Sequence, residues 1–365
     1  MSIGRPMSCA VVLCLIWAGG AGGVAAQDKE VQLTEAQQPL VISGFAVGLG
    51  SYDRNLAQTN ALGSKIAISL FKPWSDQLYL FGQLTTHLAV PDSGPAETSI
   101  EIDNLIINWT PAHVTALTLS FGRFDAPIGY ERDDEPLNLI PTSSFTFENA
   151  RPVKLTGLTA RYVLNPRVSI LGLVANGWNV ESDNNSGKTG GLKVQLFPAA
   201  NAAIAAGVLY GPDQDATNGS QRTQLTADAT VQPMPRMIVQ AEAHHGMQRN
   251  AGTSLDWTAI VGQVFWRAAT SIGISVRGES LKDADGVTTG TPQTLQSLTV
   301  SPWYFYREAQ EGVFSNVEFT TFRLPAFSLR PAVRFDHSTV PFFQAKDGSL
   351  KRSNVTALVE LVYLF

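Results

Sequence analysis

Both cysteines of this 365-residue chain, Cys9 and Cys14, fall within its first 26 residues. If that segment is removed, no thiol remains, so neither a disulfide framework nor a cysteine-ligated metal can hold the rest of the chain. Charge is also scarce. Only 16% of the residues are Asp, Glu, Lys or Arg, against about a quarter in ordinary soluble domains. Without Arg5 the chain carries 25 basic residues against 31 acidic ones, a net charge of −6. That balance argues against nucleic acid as a partner, because nucleic acid needs a basic footprint. Long apolar runs are missing as well. Apolar residues make up 44% of the chain, yet after residue 26 no stretch approaches the roughly 20 residues of a spanning helix. Either a large β core hides this apolar surface, or lipid covers it.

The first 26 residues read MSIGRPMSCAVVLCLIWAGGAGGVAA. A lone Arg5 precedes a short apolar run from Cys9 to Trp17, and Val24-Ala25-Ala26 supplies a small-residue cleavage site before Gln27. The pattern predicts an export signal over 1–26. The run is too short for a membrane anchor. It also continues past Cys14 with no preceding small pair, unlike a lipoprotein signal. Residues 27–39 are then expected to be a short periplasmic segment, and 40–365 one barrel, since no linker or composition shift divides them.

Alternation with a period of two dominates the chain beyond residue 40. In SIGISVRGES (271–280), Ile272, Ile274 and Val276 oppose Arg277 and Glu279. In FSLRPAVRFD (327–336), Phe327, Leu329, Val333 and Phe335 oppose Arg330, Arg334 and Asp336. The segment 168–178 alternates poorly. Punctuation comes in two kinds that take turns for much of the chain. Tight turns such as LNPR (164–167) and FPAAN (197–201) alternate with longer polar loops such as NVESDNNSGKT (179–189) and KDADGVTTGTPQ (282–293). Short turns at one end and long loops at the other are the layout of a transmembrane β-barrel.

Candidate strands fall near 40–51, 61–72, 77–88, 99–110, 117–126, 155–165, 168–178, 189–198, 202–211, 222–232, 237–247, 257–268, 271–281, 294–304, 315–324, 326–337 and 353–365. Single-chain bacterial barrels are usually even-numbered. One of the seventeen is therefore excess, and 294–324 holds the suspect. The expectation is an all-β antiparallel barrel of about 16 strands, with 14 to 18 open. The final segment NVTALVELVYLF alternates to its end at Phe365. A barrel pairs its last strand with its first, leaving no free edge. Tyr363 and Phe365 are then expected in the periplasmic aromatic girdle.

The stretch FGRFDAPIGYERDDEPLN (121–138) resembles the OmpL-like β-barrel porins of Gram-negative bacteria, through Gly122, Phe124, Pro127, Gly129, Tyr130, Glu131 and Asn138. Pro152, Thr156 and Gly157 continue the likeness. So do NGWNVESDNNSGKT (176–189), RGESLKDADG (277–286) and LRPAVRFDHSTVPFF (329–343), although Ala332 stands where that family often has Glu. The resemblance runs from about 121 to 365 and is weaker over 40–120. It implies a signal-directed outer-membrane channel for small hydrophilic solutes or ions, without a cofactor. Phosphate-selective porins are similar in architecture, but their pore arginine ladder has no comparable cluster here. The terminal Tyr363 and Phe365 resemble the signal read by the barrel assembly machinery. A homotrimer is compatible with the size.

The longest non-alternating stretch, 127–154, is expected to fold inward as the pore constriction. Long structureless loops in compact proteins are usually functional or disordered. Its charges, counted from 123, are Arg123, Arg132, Arg151 and Lys154 against Asp125, Glu131, Asp133, Asp134, Glu135 and Glu148. The excess of two negatives predicts a weak cation preference. Strand parity points Arg123 at lipid, so a bulge or rim position must rescue it. Arg277, Glu279, Arg330, Arg334 and Asp336 are expected on the lumen wall. The bland alternatives are a solvated outer loop and a salt-bridged barrel wall. An enzyme is not expected. HExxH, GxSxG and phosphate-loop motifs are missing, and adjacent His244 and His245 face opposite sides of a strand. The stronger rival is a plugged structural or adhesive barrel; an outer-membrane hydrolase is the weaker one.

Overall fold

Alternating side chains dictate a sheet with one face in lipid, and closure removes its edges. The computed structural model describes residues 39–89, 97–250, 252–308 and 325–365. Among them sixteen strands close into an antiparallel barrel. They are β1 (Val41–Asp53), β2 (Gln58–Pro73), β3 (Leu78–Ala89), β4 (Glu97–Trp109), β5 (Leu117–Asp125), β6 (Lys154–Asn165), β7 (Val168–Ala175) and β8 (Thr189–Ala199). Next come β9 (Ala202–Pro212), β10 (Gln221–Met234), β11 (Met237–Asn250), β12 (Thr253–Ala269), β13 (Ile272–Asp283), β14 (Gln293–Glu308) and β15 (Pro325–Ser338). A small hairpin of β16 (Phe343–Gln344) and β17 (Leu350–Lys351) decorates the last outer loop, and β18 (Ser353–Leu364) completes the wall.

Sequence neighbours pair throughout, and β18 pairs with both β15 and β1. The excess strand is resolved by β14 pairing directly with β15. The candidate at 315–324 lies outside the described residues, as do the export signal and almost all of the 27–39 segment. Closure registers Phe45 with Leu364 and Asp53 with Thr356. Phe365 extends the seam by exchanging backbone hydrogen bonds of 2.9 and 3.0 Å with Gly44. Glycine is required there. A Cβ on Gly44 would lie 2.3 Å from the Ala67 carbonyl oxygen and 2.7 Å from the Phe365 ring.

The outward face is apolar and bare. Ile100, Phe121, Ile260, Ile272, Leu298 and Phe335 are all exposed. The inward face is largely polar and buried, with Thr85, Gln224, Ser275, Thr299 and Ser301 showing no exposure. The poor alternation of β7 has a packing cause. Its inward residues Leu171, Leu173 and Ala175 are also apolar, because they join Phe124, Leu155, Trp178 and Ile128 in a cluster inside the barrel. A bulge between Gln83 and Leu84 leaves Asp103 without a partner across the strand pair. Asp103 and Asn104 are therefore both buried, which simple parity could not indicate.

Candidate functional site

The segment 126–153 joins β5 to β6 and folds into the barrel. Pro127, Pro136, Pro141 and Pro152 keep it from pairing as a strand. It holds only a 3-10 turn at Glu135–Leu137 and a π-helical turn at Thr146–Ala150. Its backbone groups sit away from bulk water and must find partners. The wall supplies them. Arg277 donates to the Thr142 carbonyl at 2.5 Å and the Ser143 carbonyl at 3.0 Å. Arg334 donates to the Ser143 carbonyl at 2.5 Å. Arg330 donates to the carbonyls of Asn138 and Glu135 at 2.7 and 3.0 Å. Indole N–H groups do likewise, Trp303 to Leu139 and Trp257 to Ala150. Loop N–H groups meet acceptors: Tyr130 donates to Glu242 at 2.6 Å and Phe145 to Glu279 at 2.6 Å. At Gly129, with φ of +70°, a Cβ would strike the Glu242 carboxylate at 2.2 Å. The loop is thus bound to β10–β15 along its length.

Apolar contacts reinforce this. Leu137 and Leu139 pack with Phe45, Ile238, Phe265, Trp303, Phe305 and Leu364. Ala126, Ile128, Phe145 and Ala150 join the larger cluster around Phe81, Leu155, Leu171 and Trp257. Arginine also stacks on rings, with Arg330 4.7 Å from the Trp303 centroid and Arg334 4.3 Å from that of Phe145.

On the other side the loop presents charge. Lys154 bridges Asp103 at 2.6 Å, Asp125 at 2.5 Å and Asp133 at 3.4 Å. Lys65 pairs with Glu135 at 3.0 Å and donates to the Asp133 carbonyl at 3.0 Å. Buried Asp134 accepts from Gln83 at 3.1 Å. Burial, with the charge of Asp125 added, pushes the Asp134 carboxyl up to about 7 against the pull of Lys65 and Lys154. Burial raises Asp133 too, but Lys154 and Lys65 outweigh it and hold that group below its ordinary value. The Asp125, Asp133 and Glu135 side chains keep 26%, 32% and 31% exposure, so this charged face borders accessible space. Lys193 on β8 and Asp228 on β10 form a further inward pair at 3.5 Å.

The predicted residues divide accordingly. Glu131, Asp134, Arg151 and Lys154 are buried in the loop's ion pairs and hydrogen bonds. Glu131 accepts from Ser144 N–H at 2.8 Å and lies 3.4 Å from Arg277. Arg151 lies 3.6 Å from Glu242. Arg132 is half-buried and donates to the Gly129 carbonyl, whereas Glu148 is exposed. Arg123 takes the rim rescue. It reaches Glu181 in the next outer loop at 2.9 Å and the Asp103 carbonyl at 3.2 Å. The wall group Arg277, Glu279, Arg330, Arg334 and Asp336 is buried on the inward face. Arg334 pairs with Asp336 at 2.7 Å and with Glu279 at 3.6 Å. Sequence reading singled out neither Lys65, Asp103, Glu242, Trp257 and Trp303 nor Glu360, which pairs with Arg330. Their signal was inward parity, which every second residue shares, and at Asp103 the neighbouring bulge obscured even that. His244 and His245 do separate. His244 is buried 3.3 Å from Glu242, and His245 bonds Thr258 on the outer side.

An inward loop bound to a closed wall suggests comparison with known barrels. The family described as "Putative beta-barrel porin-2, OmpL-like" matches residues 81–365. The chain belongs to this porin family. No curated protein matches the sequence. Among solved structures, the anion-selective porin of Comamonas acidovorans is 8% identical with a TM-score of 0.63, covering 90% of this chain and 99% of that one. OmpF of Salmonella typhi, in complex with daunomycin, is 12% identical with a TM-score of 0.61, covering 89% and 97%. The outer-membrane channel DcaP of Acinetobacter baumannii is 10% identical with a TM-score of 0.60, again covering 89% and 97%. At such identities these likenesses speak for the fold. Family and fold together make this chain an outer-membrane porin, a passive diffusion channel of the Gram-negative outer membrane.

Proposed function

We propose that segment 126–153 is the constriction of this porin. Small hydrophilic solutes pass between its charged face and the wall that carries Lys193 and Asp228. The observation behind this reading is the asymmetry of the loop. One side is bound to β10–β15 through backbone hydrogen bonds, while Asp125, Asp133 and Glu135 on the other keep a quarter to a third of their side-chain surface. Selectivity follows from the charges that border the passage. Counted from 123 to 154, four basic residues against six acidic ones leave an excess of two negatives, which favours cations weakly. The chain is read as a channel without enzymatic activity.

The finer assignments are also ours. Residues 1–26 direct export and 27–39 form a periplasmic lead. Tyr363 and Phe365 present the contact for the barrel assembly machinery; their rings lie 6.1 Å apart on the outer face. The barrel assembles as a homotrimer, and a trimer form is described for the fold neighbour OmpT of Vibrio cholerae.

The test is conductance of the refolded protein in a planar bilayer under a salt gradient. Stepwise currents with a small cation-directed reversal potential are expected. Silence from folded protein would move the reading to a plugged structural barrel. Removal of residues 130–149 should raise the single-channel conductance severalfold; an unchanged step would place the constriction elsewhere.

A further inference from the structure

One histidine inside the barrel is held so that a second proton must disturb its neighbours. His244 on β11 faces inward with no exposed side-chain surface. Gln224 on β10, also fully buried, donates through Nε2 to the His244 Nδ1 at 3.0 Å and to the Ala150 carbonyl at 2.7 Å. A carbonyl can only accept, so the Ala150 bond fixes which end of the Gln224 amide points at the loop. The His244 Nδ1 is then an acceptor and carries no proton. The amide's own Oε1 is buried and meets no donor among the described residues. On the other side of the ring, Nε2 stands 3.3 Å from Glu242 Oε1, and neither atom has a hydrogen bond among the described residues. Glu242 accepts from the Tyr130 N–H at 2.6 Å and lies 3.6 Å from Arg151. The ring therefore touches, through one residue on each side, both ends of the inward loop.

We propose that His244 and Gln224 form a proton-operated latch on this loop, an inference that rests on the reading of 126–153 as the constriction. A second proton on the imidazole can go only to Nδ1. There it sets an N–H donor 3.0 Å from the amide donor of Gln224. Turning the amide removes the conflict, because the idle Oε1 then accepts from Nδ1. The same turn sets an oxygen against the Ala150 carbonyl, and two acceptors repel. Ala150 keeps only the Trp257 indole N–H, at 3.0 Å, so the π-helical turn Thr146–Ala150 loosens from the wall. The new charge also draws on Glu242, which holds Tyr130 and Arg151. The charged groups around the ring are Glu242 on its own strand, Arg151, Arg132, Tyr130 and Glu131 from the loop, Asp228 on β10, and Arg277 and Glu279 on β13. Ala259 opposite on β12 adds none. An imidazole ordinarily changes charge between pH 5 and pH 8.

The experiment is hydrogen–deuterium exchange of the whole refolded barrel in detergent, at about pH 8 and about pH 5, the two ends of the imidazole range. The comparison is His244→Gln, which offers a donor and an acceptor but takes no proton. Both proteins are read at the same pH, because acid slows chemical exchange itself. At the acid end, amides of 144–151 should exchange about fivefold faster in wild type than in the variant, the loss of one hydrogen bond of ordinary net worth. At the alkaline end the two should match. Open-channel current should grow noisier on acidification in wild type and stay steady in His244→Gln. Faster exchange with no change in current would keep the latch and overturn the constriction reading. Equal exchange by the two proteins in acid would overturn the latch, whatever the current does. One measurement needs no variant to fold. Nitrogen-15 histidine spectra of wild type should show Nδ1 of the buried ring gaining its proton over the same pH range, and a buried ring that stays neutral at the acid end would overturn the proposal.

Discussion

Single side chains here are asked to satisfy backbone that water cannot reach. Arg277, fully buried, meets the Thr142 and Ser143 carbonyls and the Glu131 carboxylate together. Its replacement by methionine removes the hydrogen bonds and leaves Glu131 without its wall partner. Breaking a buried pair from one side costs about 3–5 kcal/mol, so urea unfolding of Arg277→Met in detergent should show a loss of that order. Arg334→Met should show less, because Asp336 lies at the less constrained end of its network. Gly44 illustrates the opposite demand, for absence of a side chain. Gly44→Val pushes against the Ala67 carbonyl and the Phe365 ring. The expected result is a barrel that closes poorly, seen as lost heat-modifiable migration on gels, whereas Gly48→Val, with open space around it, migrates as wild type.

At the scale of the element, the inward loop carries a titration of its own. An Asp titrates near 4 in an unfolded chain, whereas burial and the charge of Asp125 put Asp134 at about 7. Between those values the folded protein holds a proton that the unfolded chain releases. The contribution of Asp134 to stability therefore falls as pH rises from about 4 to about 7 and is constant above. If Asp134 borders the proposed constriction, conduction is expected to follow the same proton. As pH drops through 7 the loop loses a negative charge, so the cation preference should shrink, and Asp134→Asn should abolish that step in the reversal potential. The loop's existence was legible in its broken alternation, and so was the mixed charge of 123–154. Its attachments were not. Lys65, Glu242 and Trp303 occupy ordinary inward positions on strands far along the chain, and only closure brings them to the loop. β7 shows the same limit. Its inward leucines looked like a failed strand until the loop gave them something apolar to pack against.

For the whole molecule, period-two alternation and the two kinds of turn gave seventeen candidate strands, which the even-number rule brought to about sixteen, and the closed wall has sixteen. Alternation carries that signal because a one-residue slip would turn the apolar face into the lumen. The uncertain stretch was 294–324, whose turn ends the sequence does not mark clearly. The interior is more filled than a polar lumen alone suggests, since two apolar clusters link loop and wall. Single-channel conductance should accordingly fall below that of an unobstructed barrel of sixteen strands, and large neutral polymers added to the bath should leave the current unchanged because they cannot enter. Currents reduced in proportion by such polymers would show a passage wider than this interior provides.

The bonds that fasten the loop also constrain the order in which the molecule can be built. Arg330 and Glu135 stand 195 positions apart, and Phe145 and Glu279 stand 134 apart. Contacts of such long separation form late and slowly. The loop is made before the strands that will hold it, so its carbonyls must stay hydrated inside a half-finished, open sheet until β13–β15 arrive. The last strands thus close around a filling already in place, which makes the loop a template for the far wall. A chain lacking its wall arginines would be expected to stall at that step, as an accumulating, protease-sensitive species in timed refolding, before any defect in the finished channel could be measured.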